Sequence, residues 1–138
     1  MTEQDYATLS DYITTIARAL GLGHWSIRLS EEAACSPDAY AEVNPTDQRF
    51  HVVIRVCRDF RSLTPQIQRE SIVHELLHLP YQPAVDVIRL DLWEARALSQ
   101  STYDALYKAF SRQMEYATDC LAGAVARLLP CISWEGEA

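Results

Sequence analysis

The pentapeptide His74-Glu75-Leu76-Leu77-His78 carries the clearest chemical signal in the chain. On an α-helix, residues four positions apart lie one turn apart on the same face, so the two imidazoles can bind one metal ion. The glutamate beside the first histidine can then take a proton from a metal-bound water. This spacing on a helix is typical of zinc hydrolases. The alternative is that both histidines only pack on a helix and that Glu75 is solvated.

The residues around the motif predict the helix that it requires. Thr64 is a suitable N-cap, and Pro65 fits the first helical position, which needs no N–H donor. From Gln66 to Leu79 the chain contains no Gly or Pro, and its apolar residues provide a side that can be buried. Pro80 and Pro83 should end the helix. The motif is therefore predicted in the last two turns, just before a change of direction.

Two histidines do not complete a zinc site, which needs a third protein ligand and an open position. The metzincin pattern is excluded, because Tyr81 and Ala84 stand where it requires Gly and His. No histidine follows His78. The third ligand is therefore expected to be a carboxylate, with Cys120 or Cys131 as the weaker alternatives.

Glu115 is the preferred third ligand. It lies in the middle of a predicted long helix, on a polar and small stripe that permits close approach by another helix: Ser111, Thr118, Asp119 and Ala122. Asp119, one turn further on, can accept a hydrogen bond from the outer ring nitrogen of a ligand histidine. Glu94 is the main rival, because it lies nearer to the motif in sequence. Alternatively, Glu115 and Asp119 are solvated surface acids.

The residues Glu115-x-x-x-Asp119 after His74-Glu75-x-x-His78 resemble the gluzincin pattern of zinc peptidases. The segment from Glu115 to Ala122, followed by Leu128-Leu129-Pro130, is similar to the ImmA/IrrE-type metallopeptidases of bacteria, phages and mobile elements. The resemblance implies a minimal zincin-like fold and one Zn²⁺ bound by His74, His78 and Glu115. Gluzincins often stabilise the oxyanion with a Tyr or His. The sequence does not select among three tyrosines of the long helix: Tyr103, Tyr107 and Tyr116.

Hydrophobic periodicity predicts an α+β chain that forms one domain over residues 1–138. A helical pattern over Tyr6–Leu20 is followed by the three strand candidates Trp25–Leu29, Ala39–Val43 and Phe50–Val56, expected to form a small, mainly antiparallel sheet. The third strand is considered as an edge strand that could pair with an extended substrate. After the motif helix come a connecting segment with helical spacing, Ala84–Leu98, and a helix from about Thr102 to Leu129.

Several side-chain expectations accompany this fold. A capping box at Ser101–Asp104 should open the long helix. The apolar stripe of that helix should face the core: Leu106, Phe110, Met114, Ala117, Leu121, Val125 and Leu128. His24 and His51 are expected in surface or packing roles, and Trp134 in a loose tail. The four dispersed cysteines are expected to be reduced and mostly buried.

Composition narrows the classes of partner. The chain carries 12 Lys and Arg against 19 Asp and Glu, a formal net charge of −7, without a basic cluster. Binding to nucleic acid or to anionic lipid is therefore not expected. No apolar stretch could span a membrane and the polar N-terminus is not a signal peptide, which indicates a cytoplasmic protein. The expected partner is a peptide or protein substrate, and the oligomeric state stays open.

The sequence thus predicts zinc-dependent peptide-bond hydrolysis, with Glu75 as the general base on a zinc-bound water. The first alternative is a non-catalytic, zinc-stabilised protein-interaction module of phage or mobile-element type. The intact Glu75 within the motif argues against it, because structure alone does not need that carboxylate. A helical domain without metal is the second alternative.

Overall fold

The fold combines one small sheet with four α-helices in the part of the chain that the computed structural model describes, residues 1–46 and 48–134. The strands are β1 (Ser26–Leu29), β2 (Ala41–Pro45) and β3 (His51–Val56). The α-helices are α1 (Glu3–Ala19), α2 (Pro65–His78), α3 (Gln82–Asp86) and α4 (Gln100–Val125). Shorter turns join them: 3₁₀ turns at Phe60–Ser62, Leu79–Tyr81 and Ala126–Leu128, and a π-helix at Val87–Leu92. The predicted α+β class and element order are confirmed.

The sheet is mixed rather than mainly antiparallel, with strand order β1-β3-β2. β3 pairs antiparallel with β2, Val43 opposite Ile54, and parallel with β1, Ile27 opposite Val52. β3 is therefore the central strand, and its interpretation as an edge strand is wrong. Its inward residues are buried because this face of the sheet packs on the core. The edge next to α2 belongs to β2.

The core lies between α1, the inner face of the sheet and α2. Leu9 and Ile16 of α1, Ile54 of β3, and Ile72 and Leu76 of α2 are all inaccessible to solvent. Burying each such aliphatic side chain stabilises the fold by about 1.5–3 kcal/mol. The core therefore holds α2 by its amino-terminal and middle turns and by one side only, so the motif residues are left facing a cleft.

The segment that follows α4 closes the core, and the expectation of a loose tail at Trp134 is wrong. The indole is only 3% exposed, and its Nε1 donates to Gln68 Oε1 at 3.2 Å. Gln68 in turn donates through Nε2 to the carbonyls of Phe60 and Arg61. The buried amide on α2 needs these partners, since an unpaired buried polar group costs about 1–3 kcal/mol. The amino-terminal part of α2 is thereby fixed.

Helix α4 packs through its small residues and not through its large apolar ones. Thr118 and Ala122 are buried against α2, whereas Leu121 is 42% exposed and Leu128, in the 3₁₀ turn that follows α4, is 85% exposed. The prediction that the large apolar stripe faces the core is therefore wrong. The helix packs by its small residues because these allow α4 to approach α2 closely. The predicted capping box is also displaced: Ser99 is the N-cap, and its hydroxyl accepts from Thr102 N at 3.3 Å.

Other local expectations have mixed outcomes. Thr64 caps α2 and Pro65 occupies its first turn, as predicted. Helix α2 ends at His78, but the chain continues in helical turns of changing type through Leu92. All four cysteines are free, yet none is buried, so the mostly buried thiols are not found. Within the described residues, no helix has the length and apolar character needed to cross a membrane.

Candidate metal centre

Helices α2 and α4 bring three potential ligand side chains together. His74 and His78 project from the last two turns of α2, and their Nε2 atoms lie 3.1 Å apart. Glu115, in the middle of α4, places one carboxylate oxygen 3.5 Å from His74 Nε2 and the other 3.5 Å from His78 Nε2. The three residues form a group that could hold a metal ion. The three side chains predicted as metal ligands thus meet in one place.

The dimensions of this group allow one metal ion to be held between the three side chains. Zn²⁺ bonds of about 2.0–2.1 Å to nitrogen and oxygen require tetrahedral ligand atoms about 3.3 Å apart. The two Nε2 atoms are 3.1 Å apart, close to that value, whereas the two 3.5 Å contacts go to different oxygens of Glu115. With one ligand atom from each residue, the three atoms lie within 4.8 Å of one another. Two imidazoles and one carboxylate also form a donor set used by catalytic zinc sites, in which the fourth position stays open. The donor chemistry therefore fits zinc, and the three ligand atoms are close enough to hold one metal ion.

Asp119 contacts the ring nitrogen of His74 that faces away from Glu115. Its Oδ1 lies 3.1 Å from His74 Nδ1, on the opposite side of the ring from the Nε2 that faces Glu115. A carboxylate there accepts the Nδ1–H and fixes the tautomer in which Nε2 carries the free lone pair. Asp119 therefore occupies the place predicted for it. Glu94, the rival third ligand, is not in the group and lines a different cavity.

Glu75 lies beside the metal group and is held by the sheet edge. Val43 directs its N–H away from β3 and donates it to Glu75 Oε2 at 2.7 Å. Burial, helped by the nearby charges of Glu115 and Glu42 and opposed by the hydrogen bond from Val43 N, raises the pKa of Glu75 to about 8. Such a pKa near neutrality is typical of a carboxyl group that exchanges protons during a reaction.

Burial also acts on the second histidine. It lowers the pKa of His78, and the carboxylate of Glu115 opposes that shift by favouring the protonated ring. The net direction is downward, so the neutral imidazole is favoured. Because only the neutral ring has a lone pair to donate, this environment favours metal binding.

A cavity of about 330 Å³ opens over the group, and its lining includes the motif side chains. Of the three tyrosines left open by the sequence, only Tyr107 lines it. Tyr103 packs instead against Trp93 with ring centroids 4.6 Å apart, and Tyr116 is 59% exposed. Tyr81 also lines the cavity and was missed. It could have been found, since it follows His78 by three residues and shares its side if helical winding continues.

The remaining metal-binding residue types stay outside the group. Cys120 is exposed, Cys131 is half-buried, and neither belongs to it. His24 packs its ring edge against Phe50 at 5.1 Å, and His51 is exposed at the start of β3. Their expected surface and packing roles agree with these positions.

The comparisons with known proteins add no family. No protein-family model, no curated protein and no solved structure matches this chain. The functional assignment therefore depends on the geometry of the chain's own residues.

Proposed function

We propose that this protein is a zinc-dependent peptidase of minimal gluzincin type, similar to the ImmA/IrrE-type metallopeptidases. One observation carries the proposal: the partly buried carboxyl group of Glu75 lines the same cavity as a two-histidine, one-glutamate group that could hold a metal ion. A purely structural metal site has no need for an additional proton acceptor, and its four positions are usually all filled by protein ligands. The cavity above the group leaves room for a substrate.

Each residue of the site has its own role in peptide hydrolysis. His74, His78 and Glu115 would bind Zn²⁺, which when present polarises a substrate carbonyl and makes water more acidic. Glu75 accepts a proton from the attacking water and then delivers it to the leaving amine. Near a divalent cation Glu75 is ionised at neutral pH, because opposite charge lowers a carboxyl pKa. Asp119 keeps His74 oriented throughout.

The free edge of β2 provides a place for the substrate backbone. β2 runs past Glu75, and the outward Val43 N–H is bonded to that carboxylate, so a substrate strand that pairs at this position displaces that bond. An extended peptide can add to such an edge through main-chain hydrogen bonds, which hold it with little dependence on sequence. The role considered for the strand at residues 50–56 thus passes to β2, which is the edge strand on the α2 side.

The test is Glu75→Gln. Glutamine keeps an oxygen that can accept from Val43 N, so the fold and zinc content should be unchanged. Cleavage of a broad peptide library should fall by roughly 10²- to 10⁴-fold, because the water loses its proton acceptor. Glu31→Gln, at an exposed position that lines neither the cavity over the metal group nor the larger cavity that adjoins it, is the matched control and should cleave as the wild type does. Wild-type turnover by Glu75→Gln would disprove the mechanism.

A specific observation also favours the alternative of a zinc-stabilised interaction module. The 2.7 Å bond from Val43 N gives Glu75 a structural function, since it joins α2 to the sheet edge. The two functions differ in the wild-type assay. A protein with one zinc per chain that cleaves no member of the library would favour the module.

A further inference from the structure

A larger cavity adjoins the metal centre, with a volume of about 730 Å³. We call it the side cavity. Its apolar lining comes from three parts of the chain: Trp25, Pro45, Phe50, Pro83, Val87 and Leu90. The volume falls within the range of about 300–1,000 Å³ that ligand pockets occupy, so the side cavity has room for a bulky side chain of a peptide. Neither the metal group nor Glu75 lines it.

The side cavity is continuous with the cleft over the metal group. Pro45, Gln82 and Arg89 line both cavities. β2 leads from one to the other, because Val43 donates to Glu75 and Pro45, two residues further on, borders the side cavity. Two residues of extended chain span about 7 Å. A peptide paired with the edge of β2 would therefore carry one side chain to the side cavity from within one or two residues of the bond above Glu75.

The walls of the side cavity present apolar groups to solvent. Val87 and Leu90, both on the π-helix, are 46% and 37% exposed. Opposite them, Trp25 and Phe50 pack edge to face with ring centroids 5.1 Å apart. Phe50 has φ 61°, a left-handed conformation that is costly for a bulky residue, and its carbonyl accepts from Ser26 N at 2.8 Å. Exposed apolar residues gathered on one concave surface indicate an apolar ligand.

Charged groups of both signs surround these walls and partly offset one another. Arg89 lies 3.7 Å from Asp86, and the guanidinium of Arg49 lies 5.0 Å from the centre of the Phe50 ring. Asp91 and Glu94 also line the cavity and are exposed. With cations and anions both present, charge does not select one sign of ligand. The apolar walls set the preference.

We propose that the side cavity is a specificity site for a bulky apolar side chain of the peptide substrate, such as Phe, Trp or Leu. This rests on the proposed peptidase function and names its substrate class. Such a pocket discriminates because a small side chain leaves apolar wall unburied. One methylene is worth roughly 10- to 200-fold in kcat/KM, so a phenylalanine peptide should exceed its alanine counterpart by at least about tenfold.

The experiment uses a pair of blocked peptides that differ only by Phe or Ala next to the cleaved bond. Leu90→Trp should obstruct the apolar wall of the side cavity and weaken the preference for Phe, with zinc content unchanged. Leu90 is partly exposed, so the larger side chain is compatible with folding. Leu128→Trp, at an 85% exposed position on another element, is the matched control and should retain the preference. Equal cleavage of both peptides by the wild type, or a preference for a lysine peptide, would overturn the proposal.

A binding measurement separates this proposal from the peptidase itself. Calorimetric titration of zinc-loaded Glu75→Gln with the two peptides reports affinity without turnover. In one outcome the wild type cleaves nothing, yet Glu75→Gln binds the Phe peptide more tightly than the Ala peptide and Leu90→Trp reduces the difference. The side cavity is then confirmed as a site for an apolar side chain, and the peptidase function is disproved. Cleavage without a preference for Phe over Ala overturns only the proposal that the side cavity selects the side chain. Neither cleavage nor selective binding overturns both.

Discussion

Removing Asp119 tests whether this residue supports the metal centre through its hydrogen bond to His74 and does not bind the metal directly. The carboxylate lies 3.1 Å from His74 Nδ1 and touches the metal group only through that ring. Asp119→Ala should therefore weaken zinc binding without emptying the site. Glu115→Ala removes a direct ligand and its charge, and should weaken binding much more. Glu94→Ala, which removes the same type of side chain outside the group, should change nothing.

The exposure of Asp119 sets the size of the effect. Loss of a hydrogen-bond partner behind a ligand histidine costs roughly 10- to 100-fold in metal affinity. The Asp119 side chain is 66% exposed, so water can take its place at Nδ1 and solvent screens its charge. We therefore expect the lower limit, about tenfold, or about 1.4 kcal/mol. The loss for Glu115→Ala should exceed 100-fold.

Competition with a chromophoric chelator at fixed pH and salt measures these affinities. A double-mutant cycle adds a sharper criterion, because Asp119 acts through His74. In a His74→Ala background, Asp119→Ala should have no further effect. An Asp119 effect that persists at full size in that background would refute the reasoning, as would a Glu94→Ala variant that loses more zinc than Glu115→Ala.

Two further predictions concern stability. Thr118 Oγ1 is buried and has no hydrogen-bond partner among the described residues, so Thr118→Val should keep or raise the midpoint of thermal unfolding. A lower midpoint would contradict it. The Thr2 backbone N–H, with Arg61, holds the pKa of Asp5 below its ordinary value of 3.8. This stabilisation is present above pH 3.8 and is lost as pH falls through the lower, folded-state pKa. Asp5→Asn should therefore be less stable than wild type at pH 7, with the difference closing in acid, measured by circular dichroism.

The sequence predicts the parts of this protein that depend on local chemistry. Thr64 and Pro65 determine where α2 begins, and the four-residue spacing places both histidines on one face. The proximity of Glu115 also follows from a local pattern, because small residues around it mark the face on which another helix can pack. These signals need only a few neighbouring residues to be interpreted.

The errors concern interactions between distant segments. Strand order depends on where β2 turns back along the sheet. The pattern of a single strand does not contain this information, so the sequence alone does not identify β3 as the central strand. Trp134 was assigned to a tail because its partner, Gln68, lies 66 residues away. The large apolar stripe of α4 satisfies the pattern of a core helix. The helix nevertheless packs by Thr118 and Ala122, because these small side chains allow α4 to approach α2 closely.

The segment that closes the core has a consequence for how the chain folds. Its hydrogen bonds span 118 residues for Tyr12 and Pro130, 66 for Gln68 and Trp134, and 60 for Arg69 and Leu129. Contacts so distant in sequence form late, because the loop-closure entropy must be overcome before they contribute. During synthesis, α1, the sheet and α2 emerge well before residues 129–134. The amino-terminal part of α2 therefore gains its last buried hydrogen bond only after the chain near Trp134 has left the ribosome.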